Sequence, residues 1–244
     1  MVELGEKRHL HEAFRPRVVH IGNEQSPLLV VDHFLRDPQL LIDHAAEHGA
    51  FSSVTDTKYP GVRAPLPHIY SLAVRAFLGA LIADTFGLGT SPVDNELAFY
   101  SLVTTRPEQL QLRQRMPHFD SAYDRQLAVL HYLSPQEQGG TSFYRHRATG
   151  YETIRTHRII GFTAALETEL AAHAPLPARY IDGDTDSFQR FATVDGTFNR
   201  LVVYRSVSLH SPDIPADFRF DSDPRSGRLT VNLFFKYASQ DLGT

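Results

Sequence analysis

The hydrophobic pattern changes character near Ser91-Pro92. Before that point it is mainly helical. Leu28, Leu29, Val30 and Val31 form a short apolar run that reads as a strand. Asp37-Pro38 then opens a helix carrying Leu40, Leu41, Ile42, Ala45 and Ala46, stopped near Gly49. Residues 51–67 read as a loop, with the turn signal Tyr59-Pro60-Gly61 and two further prolines. Residues 69–86 form a second helix, because Leu72, Val74, Phe77, Leu78, Leu81 and Ile82 recur at near-helical spacing. After Pro92, short runs of Val, Leu, Phe, Tyr and Thr take over, at 97–103, 127–133, 141–144, 188–194, 201–207 and 229–237. One helix interrupts them at 161–173, with Phe162, Ala165, Leu166, Glu169 and Leu170 on its face. Many short strands with turn signals predict a β-sandwich or jelly roll. No flexible linker separates the halves. The expectation is therefore one domain, 1–244, with a helical and loop support at 1–94 and a β core at 95–244.

Composition narrows the chemistry more than the fold. A net charge of −4 argues against a surface built to grip nucleic acid or anionic lipid. Arg106, Arg113 and Arg115 cluster, but they read as a solvated face. The chain has no cysteine, so disulfides, thiol nucleophiles and thiolate metal sites are excluded. Any transition metal must be held by imidazole and carboxylate. The first residues lack the apolar stretch of a signal peptide, and the longest apolar region, 71–86, is short and interrupted by Arg75 and Asp84. A cytoplasmic protein without a membrane partner is expected.

Thirteen histidines make any single one uninformative. His118-Phe119-Asp120 differs, because in an extended segment residues i and i+2 project to one face. Two metal-competent side chains then share a side, with Phe119 turned into the opposite layer. A two-histidine, one-carboxylate set needs a third ligand from elsewhere and leaves positions open for other ligands. The register that follows is informative. Arg125 opens RQLAVLHYL, Gly139-Gly140 forms a turn before TSFY, FNRLVVYRSVSLH ends at His210, and SGRLTVNLFFKY begins near Arg228.

In that order, HxD, R-x6-YL, GG-x-x-x-F, a strand ending in LH and G-R-x-T resemble the iron(II)/2-oxoglutarate dioxygenases, most closely their prolyl-hydroxylase-like branch. The likeness covers about residues 96–237. It implies an α+β fold whose core is a cupin-like jelly roll, the double-stranded β-helix, buttressed by N-terminal helices. It implies Fe(II) held by His118, Asp120 and His210, and 2-oxoglutarate as co-substrate. Arg228 falls on the basic residue that pairs with the distal carboxylate of 2-oxoglutarate, a role suited to a planar guanidinium. Arg225 is its neighbouring substitute. Thr230, two residues on, would face the same side and add a bond. Tyr132 falls on a tyrosine that donates to the same carboxylate in some members, and otherwise reads as strand packing.

Three residues are candidates for substrate contact. Tyr59 and Arg63, in a Tyr-Pro-Gly-x-Arg element resembling one in uncharacterised bacterial relatives, lie in a loop of the kind that carries recognition or packs as a plain turn. His146 lies just past the strand after Gly139-Gly140 and would border the substrate mouth. His131, beside Tyr132, points to the opposite face and reads as structural. The implied activity is hydroxylation or oxidation of a C–H bond in a small-molecule or peptide substrate, with O2 consumed and succinate and CO2 as co-products. Rival readings are a non-catalytic jelly-roll sensor of metal or carboxylate and a cupin-type metal hydrolase or isomerase. The chain carries no signal for substrate identity or oligomeric state.

Overall fold

The computed structural model describes residues 9–53, 58–173 and 176–239. The chain runs β1 (Arg15–Ile21), β2 (Ser26–Asp32), α1 (Gln39–His48), β3 (Ser52–Ser53), β4 (Gly61–Pro65), α2 (His68–Thr85) and β5 (Val93–Val103). It continues through β6 (Gln126–Tyr132), β7 (Thr141–His146), α3 (Ile159–His173), β8 (Phe188–Val194), β9 (Leu201–Arg205), β10 (His210–Pro212) and β11 (Leu229–Tyr237). An eight-stranded sheet has the order β1-β2-β9-β6-β11-β5-β4-β3, and a three-stranded sheet has the order β10-β7-β8. The strand pairs are antiparallel. A largely antiparallel architecture with few helices is consistent with a jelly-roll class.

Both faces of the central strands β2, β9, β6 and β11 are covered, which explains why these strands read as nearly continuous apolar runs. On the outer face, Val129, Val203, Val231, Leu233 and Phe235 pack with Leu41, Ile42 and Ala45 of α1 and with Tyr70, Ala73, Val74, Leu78 and Ile82 of α2. The helix residues recur three and four apart, so each helix turns one stripe inward. On the inner face, Leu28, Val30, Ala128, Leu130, Tyr132, Val202 and Tyr204 meet Phe143 and Val194 of the small sheet. Alternate residues of the same strands thus serve two cores. α3 packs separately, through Phe162, on Tyr144, Ile154, Phe188 and Leu209.

Beside the expected strand β2 and helices α1 and α2, the N-terminal segment supplies three unexpected strands, β1, β3 and β4, to the large sheet. β1 carries Arg15, Pro16 and Arg17 and is exposed along most of its length, so it has no apolar alternation to detect. β4 lies inside the expected loop; its Gly61 is where a Cβ would sit 1.9 Å from the Leu102 carbonyl oxygen. The strand expected to run to Val207 ends at Arg205, and a turn leads into β10. Gly139-Gly140 has a steric cause. Cβ atoms there would lie 1.9 Å from the Asp213 oxygen and 1.8 Å from the Val194 oxygen. No helix among the described residues is long and apolar enough to cross a membrane.

Candidate metal centre and its cavity

The extended segment through His118 runs beside the turn from β9 to β10. His118 N–H donates to the His210 carbonyl at 2.9 Å, and His210 N–H donates back at 2.8 Å. Asp120 N–H donates to the Ser206 carbonyl at 2.8 Å. These bonds hold the segment extended, so His118 and Asp120 face one side. Phe119 faces the other, its ring 6.2 Å from that of Phe162 on α3.

His118, Asp120 and His210 each bring one donor atom into a cluster whose atoms all lie within 4.8 Å of one another. His118 Nε2 is 3.6 Å from Asp120 Oδ1, and His210 Nε2 is 3.7 Å from Asp120 Oδ2. His210 Nδ1 lies 3.0 Å from the Ser208 carbonyl. A carbonyl only accepts, so Nδ1 carries the proton and Nε2 keeps its lone pair towards the cluster. Asp120 Oδ2 is buried and has no hydrogen-bond partner. A buried carboxylate left in this way, with an imidazole nitrogen beside each of its oxygens, fits a divalent cation and an N,N,O donor set.

The electrostatics agree. Burial alone would raise the Asp120 pKa, but His210, His118 and Lys58 outweigh it and bring it below the ordinary carboxylate value. Burial pushes His210 down to about 4, against the opposing pull of Asp120. The ring is therefore neutral at pH 7, the form that coordinates.

The cluster opens on a cavity of about 370 Å³ whose floor is the inner face of the large sheet. Period-two alternation brings Thr230, Asn232 and Phe234 of β11 into it, beside Ala128 and Leu130 of β6. Across the strands, Arg63 pairs with Ser101, Ser101 with Thr230, and Thr230 with Tyr132. Further along, Leu97 pairs with Phe234, Phe234 with Ala128, and Ala128 with Tyr204. The Tyr204 ring centroid lies 4.9 Å from that of His210. One stretch of floor is thus polar, another apolar, and the apolar one lies by the histidines.

Arg228 lines the cavity while only 3% exposed. Its Nε donates to the Gln138 carbonyl at 3.0 Å and its Nη2 to the Gly140 carbonyl at 2.7 Å. The Gly139-Gly140 turn therefore also orients the guanidinium. Arg225 is on the surface, 3.4 Å from both Asp43 and Glu47. Thr230 lines the cavity, its hydroxyl donating to Asn232 at 2.9 Å. Tyr132 lies in the inner core rather than among the cavity-lining residues; its hydroxyl is 2.7 Å from that of Thr141, and Arg228 sits 5.9 Å above its ring. Its placement supports Arg228 and Thr141 from behind.

Tyr59 and Arg63 both reach the cavity, with the Arg63 guanidinium 4.9 Å above the Tyr59 ring. Burial raises the Tyr59 pKa, with Arg228 and Arg63 opposing. His146 does not line the cavity. It is fully buried under α3, with Nδ1 2.9 Å from Thr149 Oγ1 and Nε2 3.1 Å from Glu169. The expected place at a substrate mouth is thus corrected: α3 folds back over the strand end and encloses the ring between Phe162 and Phe188. His131 lies on the outer face, in a buried network with Tyr70 and Asn199.

Sequence inspection missed Lys58, Tyr204, Asn232 and Phe234. The last two follow from continuing the alternation from Thr230 along β11. Lys58 adjoins the Tyr59-Pro60-Gly61 turn, and its Nζ donates to the Phe119 carbonyl between the two ligand positions.

No curated protein matches the chain. Among solved structures, an N-substituted L-amino acid dioxygenase from Burkholderia ambifaria in complex with alpha-KG is 10% identical, with a TM-score of 0.43, over 93% of this chain and 98% of that one. A second structure of an N-substituted L-amino acid dioxygenase from Burkholderia ambifaria is 11% identical, with a TM-score of 0.41, over 94% of this chain and 100% of that one. Scores this low do not establish a common fold. One family model matches residues 12–235, nearly the whole described chain, and on that match the protein belongs to the family of unknown function DUF6445.

Proposed function

We infer that the protein is a non-haem iron(II)- and 2-oxoglutarate-dependent oxygenase on a double-stranded β-helix scaffold, acting on a C–H bond of its substrate. The observation that carries this is the placement of the His118, Asp120 and His210 cluster in one cavity with a buried, backbone-held Arg228. A metal-only site would not require a guanidinium in the same enclosure; a co-substrate with a free carboxylate would.

His118 Nε2, His210 Nε2 and an Asp120 oxygen would hold the iron, a three-donor set that leaves coordination positions for other ligands. Bound iron with 2-oxoglutarate and O2 supplies the oxidising power, with succinate and CO2 as co-products. The chain's residues do the rest. Ser208 keeps His210 in the coordinating tautomer through its carbonyl. Arg228 offers its remaining N–H groups to the far carboxylate, already oriented by Gln138 and Gly140. Thr230 adds a hydroxyl on the same strand face, and Tyr132 and Thr141 brace that end. Ala128, Leu130 and Phe234 limit water beside the reacting atoms.

The test is anaerobic addition of iron(II) and 2-oxoglutarate to the purified protein, followed by O2. A visible charge-transfer band and slow succinate release are expected. Iron that binds without either signal would leave a metal sensor or hydrolase, and this assignment would be wrong.

A further inference from the structure

The cavity carries more positive charge than the proposed chemistry uses. Its lining contains three cations, Lys58, Arg63 and Arg228, against one carboxylate, Asp120, an excess of two positive charges in a protein of net charge −4. Iron(II) and the 2-oxoglutarate dianion carry equal and opposite charge, so their binding leaves that excess in place. Among the described residues, none of the three cations forms an ion pair with a carboxylate side chain. Unpaired cations in a partly enclosed, low-dielectric space are costly unless a ligand neutralises them.

Each has a distinct setting. Arg228 is tied to the Gln138 and Gly140 carbonyls at the co-substrate end. Arg63 is held by ring faces, its guanidinium 4.9 Å from the Tyr59 centroid and 5.2 Å from that of Phe99, while its Nε is buried with no hydrogen-bond partner. Stacking fixes the plane of the fork and leaves its edge to an acceptor. Lys58 is anchored on the Phe119 carbonyl with its ammonium 4.6 Å from the Phe119 centroid, next to the iron-binding segment. Burial pushes its pKa down, although Asp120 opposes this. Apolar surface lies in the same enclosure, where Leu97, 53% exposed, pairs across the strands with Phe234.

Resting on the oxygenase reading, we propose that the substrate is a small organic anion, its carboxylate held by Arg63 and Lys58 and its hydrocarbon part laid on Leu97 and Phe234. The cavity volume, about 370 Å³, falls in the range of small-molecule sites.

The test is titration of the anaerobic protein, loaded with iron(II) and 2-oxoglutarate, with hexanoate and with hexanamide, followed by the charge-transfer band and by calorimetry. Hexanoate is expected to bind at least about tenfold more tightly than hexanamide, with the preference shrinking as salt is added. Arg63→Met and Lys58→Met should each weaken hexanoate by about tenfold relative to hexanamide, measured where the variant still forms the 2-oxoglutarate band. Equal affinities, no binding of either probe, or a preference surviving in both variants would overturn the proposal. So would loss of 2-oxoglutarate binding in Arg63→Met, or displacement of 2-oxoglutarate by hexanoate, because the anion site would then be that of the co-substrate. If the unsubstituted protein forms no band with iron and 2-oxoglutarate, the oxygenase reading itself fails; if the band forms and the probes do not discriminate, only the substrate class falls.

Discussion

His118 and His210 are joined through their main chains, each N–H bonded to the other's carbonyl, while their ring centroids lie 4.4 Å apart. The backbone that brings the two rings together does not depend on either ring. Ligand removal and loss of fold are thus separable at this site.

His118→Ala and His210→Ala should keep the native circular dichroism while weakening iron binding by more than about 100-fold. Asp120→Asn should behave the same way towards iron. In the metal-free protein it should be destabilising at pH 7, because the fold holds the Asp120 carboxylate below its ordinary pKa and so favours the ionised form that the amide lacks. Metal analysis beside thermal melts of the apo proteins checks both halves.

Arg228→Met should raise the dissociation constant for 2-oxoglutarate by about 100-fold, since a charge-assisted carboxylate contact contributes about 2–3 kcal/mol. It also removes the donor to the Gln138 carbonyl and one of two donors to the Gly140 carbonyl, which keeps the Asp213 N–H, at a further cost of about 1–3 kcal/mol in stability. Arg225→Met removes only exposed ion pairs and should change neither quantity appreciably. Anaerobic titration with 2-oxoglutarate separates the two arginines.

Acid should destabilise the apo protein in a defined window. Burial lowers the His131 pKa to about 4, against a bond to Asn199 that favours the charged form. The unfolded chain therefore takes up the proton first. The contribution of His131 is complete above about pH 6.5 and is lost as pH falls through about 4, up to about 3 kcal/mol. His210 acts in the same direction and window when no metal is bound. Urea unfolding between pH 4 and 7 should show the loss, and His131→Gln should flatten part of it.

Two glycines should respond oppositely to alanine. Gly140→Ala puts a methyl 1.8 Å from the Val194 oxygen and should cost more than about 3 kcal/mol, disturbing the carbonyl that holds Arg228. Gly79→Ala, inside α2 with nothing within 4 Å of the added carbon, should stabilise by about 0.5–1 kcal/mol. Equilibrium denaturation of both variants decides this.

Much of this site could be read from the chain where the causes are local. Alternation put His118 and Asp120 on one side and Phe119 on the other, and the structure places them so. The same rule placed His131 away from the cavity and Thr230 within it. The helices at α1 and α2 followed from apolar residues three and four apart. β1 and β4 escaped because an exposed edge strand and a glycine-proline segment carry no apolar alternation.

Sequence alone determined the alternation of each strand, the stripe of each helix and the donor types available in a chain without cysteine. These are properties of backbone geometry and side-chain chemistry within a few residues. Only the tertiary structure decided which of thirteen histidines meets the HxD segment, that Arg228 rather than Arg225 turns inward, that Tyr132 braces the cavity instead of lining it, and that His146 is sealed beneath α3. Each of those outcomes depends on strands far apart in sequence becoming neighbours, as β9, β6, β11 and β5 do. That order is set by burying two opposite sheet faces at once, a condition of the whole chain that no local pattern encodes.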